Sequence, residues 1–235
     1  MNIKGFKKTT FLDYPNKLAA IIFTGNCNFR CSYCHNGSLV DESKINPNSI
    51  DESEVLEYLR GKKNILDGLV ISGGEPTLCV GLIDFMRKVK AIGLEIKLDT
   101  NGYRPDVLKK VIDEKLVDYI AMDIKNTFEK YALTVGLKNF DIDKIKESMN
   151  LIRISNVAYE FRTTIMKEYH SVNDIKDMRK MINKSEDLIL QQYKKSDLQL
   201  SEKDFSFYTL DEMNTFKDNI FVKNDYSNIR VRAYV

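Results

Sequence analysis

The stretch Leu18-Ala-Ala-Ile-Ile-Phe-Thr24, followed after two residues by Cys27-Asn-Phe-Arg-Cys31-Ser-Tyr-Cys34-His35-Asn36, decides the fold of this chain. Its first part is continuously apolar, which predicts a strand covered on both faces, as in a parallel sheet. Its second part spaces three cysteines as CxxxCxxC within eight residues. The order indicates candidate metal ligands on the loop that leaves a buried parallel strand.

Three cysteines so close together predict one kind of metal centre. Each thiolate can bind a different iron of one [4Fe-4S] cluster, which leaves the fourth iron without a protein ligand. Clusters that only transfer electrons usually have four cysteines, so an exchangeable substrate or cofactor is expected to complete the shell. Cys27, Cys31 and Cys34 are therefore the predicted metal ligands and the predicted catalytic residues.

Three other interpretations of these cysteines stay open. Cys31 to His35 also matches the CxxCH pattern of c-type haem attachment, which needs export, yet Met1 to Lys8 lack the apolar part of a signal peptide. A Cys3His zinc site has suitable ligand types, although His35 adjoins Cys34 and structural zinc sites normally join separate segments. Structural thiols or disulfides are the plainest alternative, and the expected reducing cytosol disfavours disulfides.

Cys79 stands apart and is interpreted as a small buried apolar residue rather than a ligand. Because the chain has only four cysteines, it cannot hold an additional four-cysteine cluster. The electron that reduces the cluster is therefore expected from an external donor such as flavodoxin or ferredoxin.

Composition limits the classes of protein to which this chain could belong. The 36 Lys and Arg nearly balance the 34 Asp and Glu. The sequence lacks a stripe of basic residues, so it does not predict a nucleic-acid-binding protein. No apolar stretch approaches the roughly 18 to 20 residues of a membrane span. A soluble, cytoplasmic protein is expected.

Apolar runs alternate with helical patterns along most of the chain. The predicted strands are Leu18 to Thr24, Leu66 to Ser72, Leu94 to Asp99, Tyr119 to Asp123, Ala158 to Ile165 and Asp187 to Tyr193. The predicted helices are Ile50 to Lys62 with Ser49 as N-cap, about Val80 to Ile92, Pro105 to Lys115, Asp141 to Ile154, and one that starts near Ser171 in a capping box.

This rhythm predicts an α/β fold: a partial, open β/α barrel of about six parallel strands with helices outside. We expect a single domain over residues 1–235, with a core of about 18–193. A short C-terminal extension of about 194–235 is expected to hold a helix, Leu210 to Asn219, and an edge strand, Ile229 to Val235.

Unusual residues follow successive predicted strands. Ser72-Gly-Gly-Glu-Pro76 ends the second, Asp99-Thr-Asn-Gly102 the third and Asp123-Ile-Lys125 the fourth. Carboxyl ends of strands share one face of a β/α barrel, so these groups are expected to converge there. The plainer alternatives are a Gly-Gly turn and polar residues that cap the next helix.

The motifs together resemble the radical S-adenosylmethionine (SAM) superfamily. The segment from Gly5 to Lys17, the apolar run and the cysteine loop more narrowly resemble the activating proteins of anaerobic ribonucleoside-triphosphate reductase, relatives of the pyruvate formate-lyase activating enzymes. The resemblance implies a partial barrel, a [4Fe-4S] cluster and SAM chelated by the open iron.

The resemblance also implies roles for single residues. Gly73, Gly74 and Glu75 would meet the methionyl amino group of SAM, and Lys125 would pair with its carboxylate. Asp99, Thr100 and Asp123 would line the ribose side or a nearby cation site, and Tyr33 would cover the cluster and approach the adenine.

Residues outside these motifs are less informative. Arg162-Thr-Thr164 and Gln191-Gln-Tyr193 lie on the fifth and sixth predicted strands, from which they could reach the SAM or substrate channel. His170 is expected at the surface or in a cap. With His35 the only other histidine, a hydrolytic triad has little support.

Three functions therefore compete. The first is an activase that forms a glycyl radical on anaerobic ribonucleoside-triphosphate reductase, its implied partner. The second is a radical SAM enzyme that acts on a small molecule or on a different glycyl-radical enzyme. The third is a zinc-binding interaction module without catalysis.

Overall fold

The computed structural model describes residues 1–40, 49–218 and 229–232 and has an α/β fold on a mostly parallel, unclosed sheet. Its strands are β1 Ile3–Thr10, β2 Ala19–Thr24, β3 Gly68–Gly73, β4 Glu95–Thr100, β5 Tyr119–Asp123, β6 Ala158–Ile165, β7 Leu188–Gln192 and β8 Ile229–Arg232. They lie in chain order across the sheet. The predicted fold class is confirmed.

Helices connect most of these strands. They are α1 Gly37–Val40, α2 Glu52–Lys62, α3 Leu82–Ile92, α4 Pro105–Asp113, α5 Tyr131–Val135, α6 Ile142–Ile154, α7 Val172–Lys180 and α8 Leu210–Phe216, with a 3-10 turn at Pro76–Leu78. The capping box of α7 is confirmed, because the side chains of Ser171 and Asp174 each accept the other's backbone N–H. Residues 233–235 of the predicted last strand and Asn219 of the predicted helix lie outside the described residues.

The structure adds one strand to the prediction and corrects the start of one helix. β1 was not predicted, because its sequence is largely polar, and it pairs antiparallel with β2 at the edge of the sheet. The predicted N-cap Ser49 is wrong: α2 begins at Glu52, where Asp51 accepts the Ser53 N–H at 2.7 Å. The Ser49 hydroxyl instead donates to Asn2.

The chain divides into two compact units. The first contains Met1–Asn28, Asn36–Ala121 and Asp143–Tyr159. In it β2, β3 and β4 run parallel, and a small core of Tyr14, Ala19, Ile21 and Val70 packs on Phe23 and Tyr119. This arrangement places the ends of three strands, and therefore Cys27, Gly73 and Thr100, within one unit.

The second unit contains Phe29–His35, Met122–Ile142 and Glu160–Val235. In it β7 pairs parallel with both β6 and β8, so the predicted C-terminal strand is confirmed over Ile229–Arg232. This unit carries two of the three motif cysteines together with Asp123 and Lys125.

Candidate active-site residues

The Gly73-Gly74 pair lets two backbone segments of the first unit touch. Gly73 has a φ of 125°, and a Cβ there would lie 2.2 Å from the Thr24 nitrogen. A Cβ on Gly74 would lie 2.0 Å from the Asn26 carbonyl oxygen. Since the Glu75 N–H also donates to that oxygen at 2.8 Å, the two glycines fix the segment that leads into Cys27.

Glu75 is 1% exposed, and its carboxylate braces the neighbouring loop. It accepts hydrogen bonds from the Thr77 N–H and hydroxyl, the Thr100 hydroxyl and the Asn101 N–H, at 2.6 to 3.1 Å. Burial raises the pKa of Glu75, although these four bonds oppose that rise. The carboxylate thus connects the end of β3 to the end of β4. Its implied contact with the SAM amino group stays a prediction.

Two residues of the first unit were missed by sequence reasoning. Lys97 is buried and forms an ion pair with Asp99; two residues apart on one strand, they share a face, which is the signal that could have found the pair. Asn101 donates to Asn28 Oδ1 at 2.8 Å and lies 3.8 Å from Cys27 Sγ. The loop after β4 therefore reaches the first motif cysteine.

In the second unit, Cys31 and Tyr33 are buried while Cys34 is half-buried. Burial raises the pKa of the Cys31 thiol to about 12, and the nearby Lys125 ammonium opposes that rise. Burial also raises the pKa of Tyr33, and the negative charge of a Cys31 thiolate raises it further. Backbone hydrogen bonds from Leu200 and Ser201 hold the cysteine loop, a contact that no local sequence pattern predicts.

Asp123 and Lys125, at the end of β5, form one charged group with Arg162, which lies within β6. Asp123 accepts from Arg162 Nε at 2.5 Å and from Lys125 Nζ at 3.1 Å. Burial by itself would raise the pKa of Asp123, but Arg162 and then Lys125 outweigh it and lower that pKa to about 2. Asp123 therefore holds Lys125 and Arg162 next to each other.

His170 is buried, so the prediction of a surface position is wrong. Its Nδ1 accepts the Met166 N–H at 3.3 Å, and its Nε2 lies 2.8 Å from the Lys125 carbonyl oxygen. Since that carbonyl can only accept, the Nε2 nitrogen carries the proton. Burial lowers the pKa of His170, and the neutral ring supports the segment that carries Lys125.

This environment predicts a pH-dependent stability. Below a pH of about 6.5, His170 takes up a proton in the unfolded chain but stays neutral in the folded protein, where its pKa is lower. Protonation therefore favours the unfolded state, and the free energy of unfolding decreases as the pH falls. We expect His170→Gln to flatten the dependence between pH 7.5 and 5.5, with a difference in slope that approaches about 1.4 kcal/mol per pH unit. Urea unfolding of the cluster-free protein measures it.

The matched control is the exposed histidine, His35. His35→Gln should keep the wild-type slope. A His170→Gln protein whose unfolding free energy follows the wild-type pH dependence would contradict the buried neutral assignment.

The other residues considered from sequence occupy supporting positions. Gln191 is buried on β7, and Gln192 donates to the Tyr208 carbonyl at 2.8 Å. The Tyr193 hydroxyl bonds to Gln199. Cys79 is half-buried rather than buried, and its sulfur accepts the Asn2 N–H at 3.3 Å.

The donors present fit an iron–sulfur cluster. All four cysteines are thiols, and the buried Tyr33 hydroxyl has no regular hydrogen-bond partner within the described ranges. Among residues 1–40, 49–218 and 229–232, no three His, Cys, Asp or Glu side chains are arranged to hold a single metal ion. A [4Fe-4S] cluster does not require its cysteines to meet at one metal ion, because each thiolate binds a different iron.

Comparison with known proteins assigns the family. A sequence profile of the Radical SAM superfamily matches residues 21–182. The chain belongs to the radical SAM superfamily. It is therefore an enzyme of a family that uses SAM and an iron–sulfur cluster. In the described part of this radical SAM protein, every helix is too short or too polar to cross a membrane.

Two relatives and one solved structure refine the comparison. A Methanocaldococcus jannaschii protein named a glycyl-radical enzyme activating enzyme is 34% identical over 83% of this chain and 81% of its own length. The pyruvate formate-lyase-activating enzyme of Clostridium pasteurianum is 27% identical over 86% and 92%. Streptococcus suis SuiB bound to S-adenosylmethionine matches 89% of this radical SAM chain with a TM-score of 0.68 at 13% identity; the matched region is 48% of SuiB.

Proposed function

We propose that this protein is an activase that forms a glycyl radical on a glycyl-radical enzyme, with anaerobic ribonucleoside-triphosphate reductase as the first candidate partner. In this proposal Cys27, Cys31 and Cys34 hold one [4Fe-4S] cluster whose open iron binds SAM. The observation that carries the proposal is the CxxxCxxC loop in a chain with 34% identity to a protein named for glycyl-radical enzyme activation. The reductase as partner is supported by the resemblance of Gly5 to Lys17.

When bound, a reduced cluster and SAM supply a carbon radical that removes a hydrogen atom from the partner's glycine. The residues of this chain place and protect that chemistry. Lys125 would supply the cation that pairs with a SAM carboxylate, while Asp123 holds Lys125 in position next to Arg162. The Gly73 and Gly74 backbone, braced through Glu75, is the candidate surface for the SAM amino group.

The decisive test mixes the reconstituted protein with anaerobic ribonucleoside-triphosphate reductase, SAM and a chemical reductant under anaerobic conditions. We expect a glycyl-radical doublet in the electron paramagnetic resonance spectrum and formation of 5′-deoxyadenosine. A reductase whose target glycine is replaced by alanine is the control and should give no doublet.

Other outcomes separate the alternatives. Formation of 5′-deoxyadenosine without a doublet, with this reductase and with pyruvate formate-lyase, would overturn the activase proposal and favour a small-molecule substrate. Colourless protein that contains zinc after anaerobic reconstitution would instead support the zinc-binding module.

Lys125 gives a separate prediction about SAM binding. Lys125→Ala removes one cation beside Asp123 while Arg162 still neutralises that carboxylate, so the second unit should stay folded. We expect iron content to stay near wild type and SAM affinity to fall about tenfold or more, since a buried charged hydrogen bond contributes about 1.5 to 3 kcal/mol. Isothermal titration with SAM measures the affinity.

The exposed Lys176 on α7 provides the matched control. Lys176→Ala should bind SAM as the wild type does. Equal affinity in the Lys125→Ala protein would remove Lys125 from the site.

A further inference from the structure

Tyr33 is held by aromatic side chains from the C-terminal half of the second unit. Its ring centroid lies 5.6 Å from that of Tyr169 and 6.4 Å from that of Phe205, and Phe205 also contacts Tyr193 at 5.9 Å. Edge-on and tilted ring contacts of this kind stabilise one ring orientation. The Tyr33 side chain is therefore fixed by packing that is independent of any ligand.

The segment that carries Phe205 also binds the backbone of the cysteine loop. The Leu200 N–H donates to the Cys34 carbonyl at 3.3 Å and the Ser201 N–H to the Ser32 carbonyl at 3.2 Å. The Ser32 and Tyr169 hydroxyls lie 2.8 Å apart. The loop and the Tyr33 ring are thus held by the same stretch of chain.

The orientation leaves one polar atom unexplained. The Tyr33 hydroxyl is buried and has no hydrogen-bond partner in the described part of the chain, which is unfavourable for a polar atom. Cys31 lies two residues before Tyr33 on the same loop and is itself 6% exposed. Burial raises the pKa of the Cys31 thiol, and the Tyr33 hydroxyl is among the groups that oppose that rise. A buried thiolate needs hydrogen-bond donors, and the oriented Tyr33 hydroxyl is a candidate donor.

We propose that the Tyr33 hydroxyl donates a hydrogen bond to the Cys31 thiolate in the cluster-bound protein, and that Phe205 positions the ring for this bond. This inference rests on the proposed [4Fe-4S] centre. A one-electron reduction adds negative charge to the cluster and its sulfur ligands, so a donor at sulfur stabilises the reduced form and raises the reduction potential. The phenol thus makes a low-potential centre easier to reduce.

The test compares wild type, Tyr33→Phe and Tyr193→Phe after anaerobic reconstitution. Both variants lose one hydroxyl from the same aromatic group, but the Tyr193 hydroxyl bonds to Gln199 and not to a cysteine. Iron and sulfide content are measured first. The ratio of reduced to oxidised cluster is then read by electron paramagnetic resonance at the potential where the wild type is half reduced.

For Tyr33→Phe we expect that ratio to fall about tenfold, which corresponds to a midpoint lower by about 59 mV for one electron. Tyr193→Phe should stay within about twofold of wild type, a change of only about 18 mV. Loss of iron from Tyr33→Phe alone would also support the contact, because ring packing is retained. A fully loaded Tyr33→Phe protein that titrates with the wild type overturns the proposal.

Phe205→Leu tests the positioning role, because it keeps the Tyr33 hydroxyl and loosens the ring. We expect a shift in the same direction as Tyr33→Phe but smaller, and no shift would overturn the role of Phe205. A wild-type protein without iron would instead refute the proposed function, so the two failures are distinguishable.

Discussion

Replacing Cys31 with alanine is expected to abolish both iron retention and SAM cleavage. Alanine has no sulfur, so one iron of the proposed cluster loses its protein ligand, and the burial of Cys31 limits the access of a replacement ligand from solvent. With two protein ligands instead of three, the cluster should not survive desalting. Iron analysis, visible absorbance and chromatography of 5′-deoxyadenosine measure the loss.

Cys79→Ala is the matched control for this experiment. Cys79 is the one cysteine outside the motif, and its sulfur accepts a backbone N–H from Asn2. We expect wild-type iron content and cleavage, because no catalytic role is assigned to it. SAM cleavage that survives in Cys27→Ala, Cys31→Ala or Cys34→Ala would refute the three-cysteine cluster.

Glu75→Ala should produce the largest loss of stability among the non-cysteine variants. The substitution leaves four buried donors, two from Thr77 and one each from Thr100 and Asn101, without their acceptor. The cost of burying the carboxylate is recovered in part, so we expect the free energy of unfolding to fall by about 4 kcal/mol. Urea unfolding of the cluster-free protein, followed by circular dichroism, measures it.

Two further variants serve as controls for the Glu75→Ala measurement. Glu75→Gln keeps the shape and one acceptor oxygen, so we expect about half of the loss. Glu57→Ala, an exposed position on α2, should change stability by less than about 0.5 kcal/mol. A Glu75→Ala protein destabilised by under about 1 kcal/mol would show that the four hydrogen bonds do not brace the loop.

The fold was predicted correctly where the apolar pattern of a short segment matches the burial of that segment. Tyr119–Asp123 matches its predicted bounds, because the apolar run of a buried strand ends where the chain meets a polar loop. Ala158–Ile165 also matches its predicted bounds, although this strand includes Glu160 and Arg162. It failed at β1, whose polar edge position is stabilised by pairing with β2 rather than by its own composition. The position of His170 was missed for a related reason: its burial depends on carbonyl and N–H groups from other segments.

Sequence alone determined the superfamily and the fold class of this protein. The CxxxCxxC spacing, the glycine pair and the order of strands and helices are local or periodic features, and each follows from residue types at fixed separations. The superfamily and the fold class could therefore be predicted before any coordinates.

Tertiary structure alone decided which groups act on one another. The Glu75 brace joins residues 25 positions apart, the Asp123 group includes an arginine 39 positions away, and Tyr33 packs on Tyr169 and Phe205. No local pattern encodes such partners, because they depend on how strands and loops pack in space rather than on spacing along the chain. The sequence specifies the predicted ligands, and packing between distant segments specifies their environment.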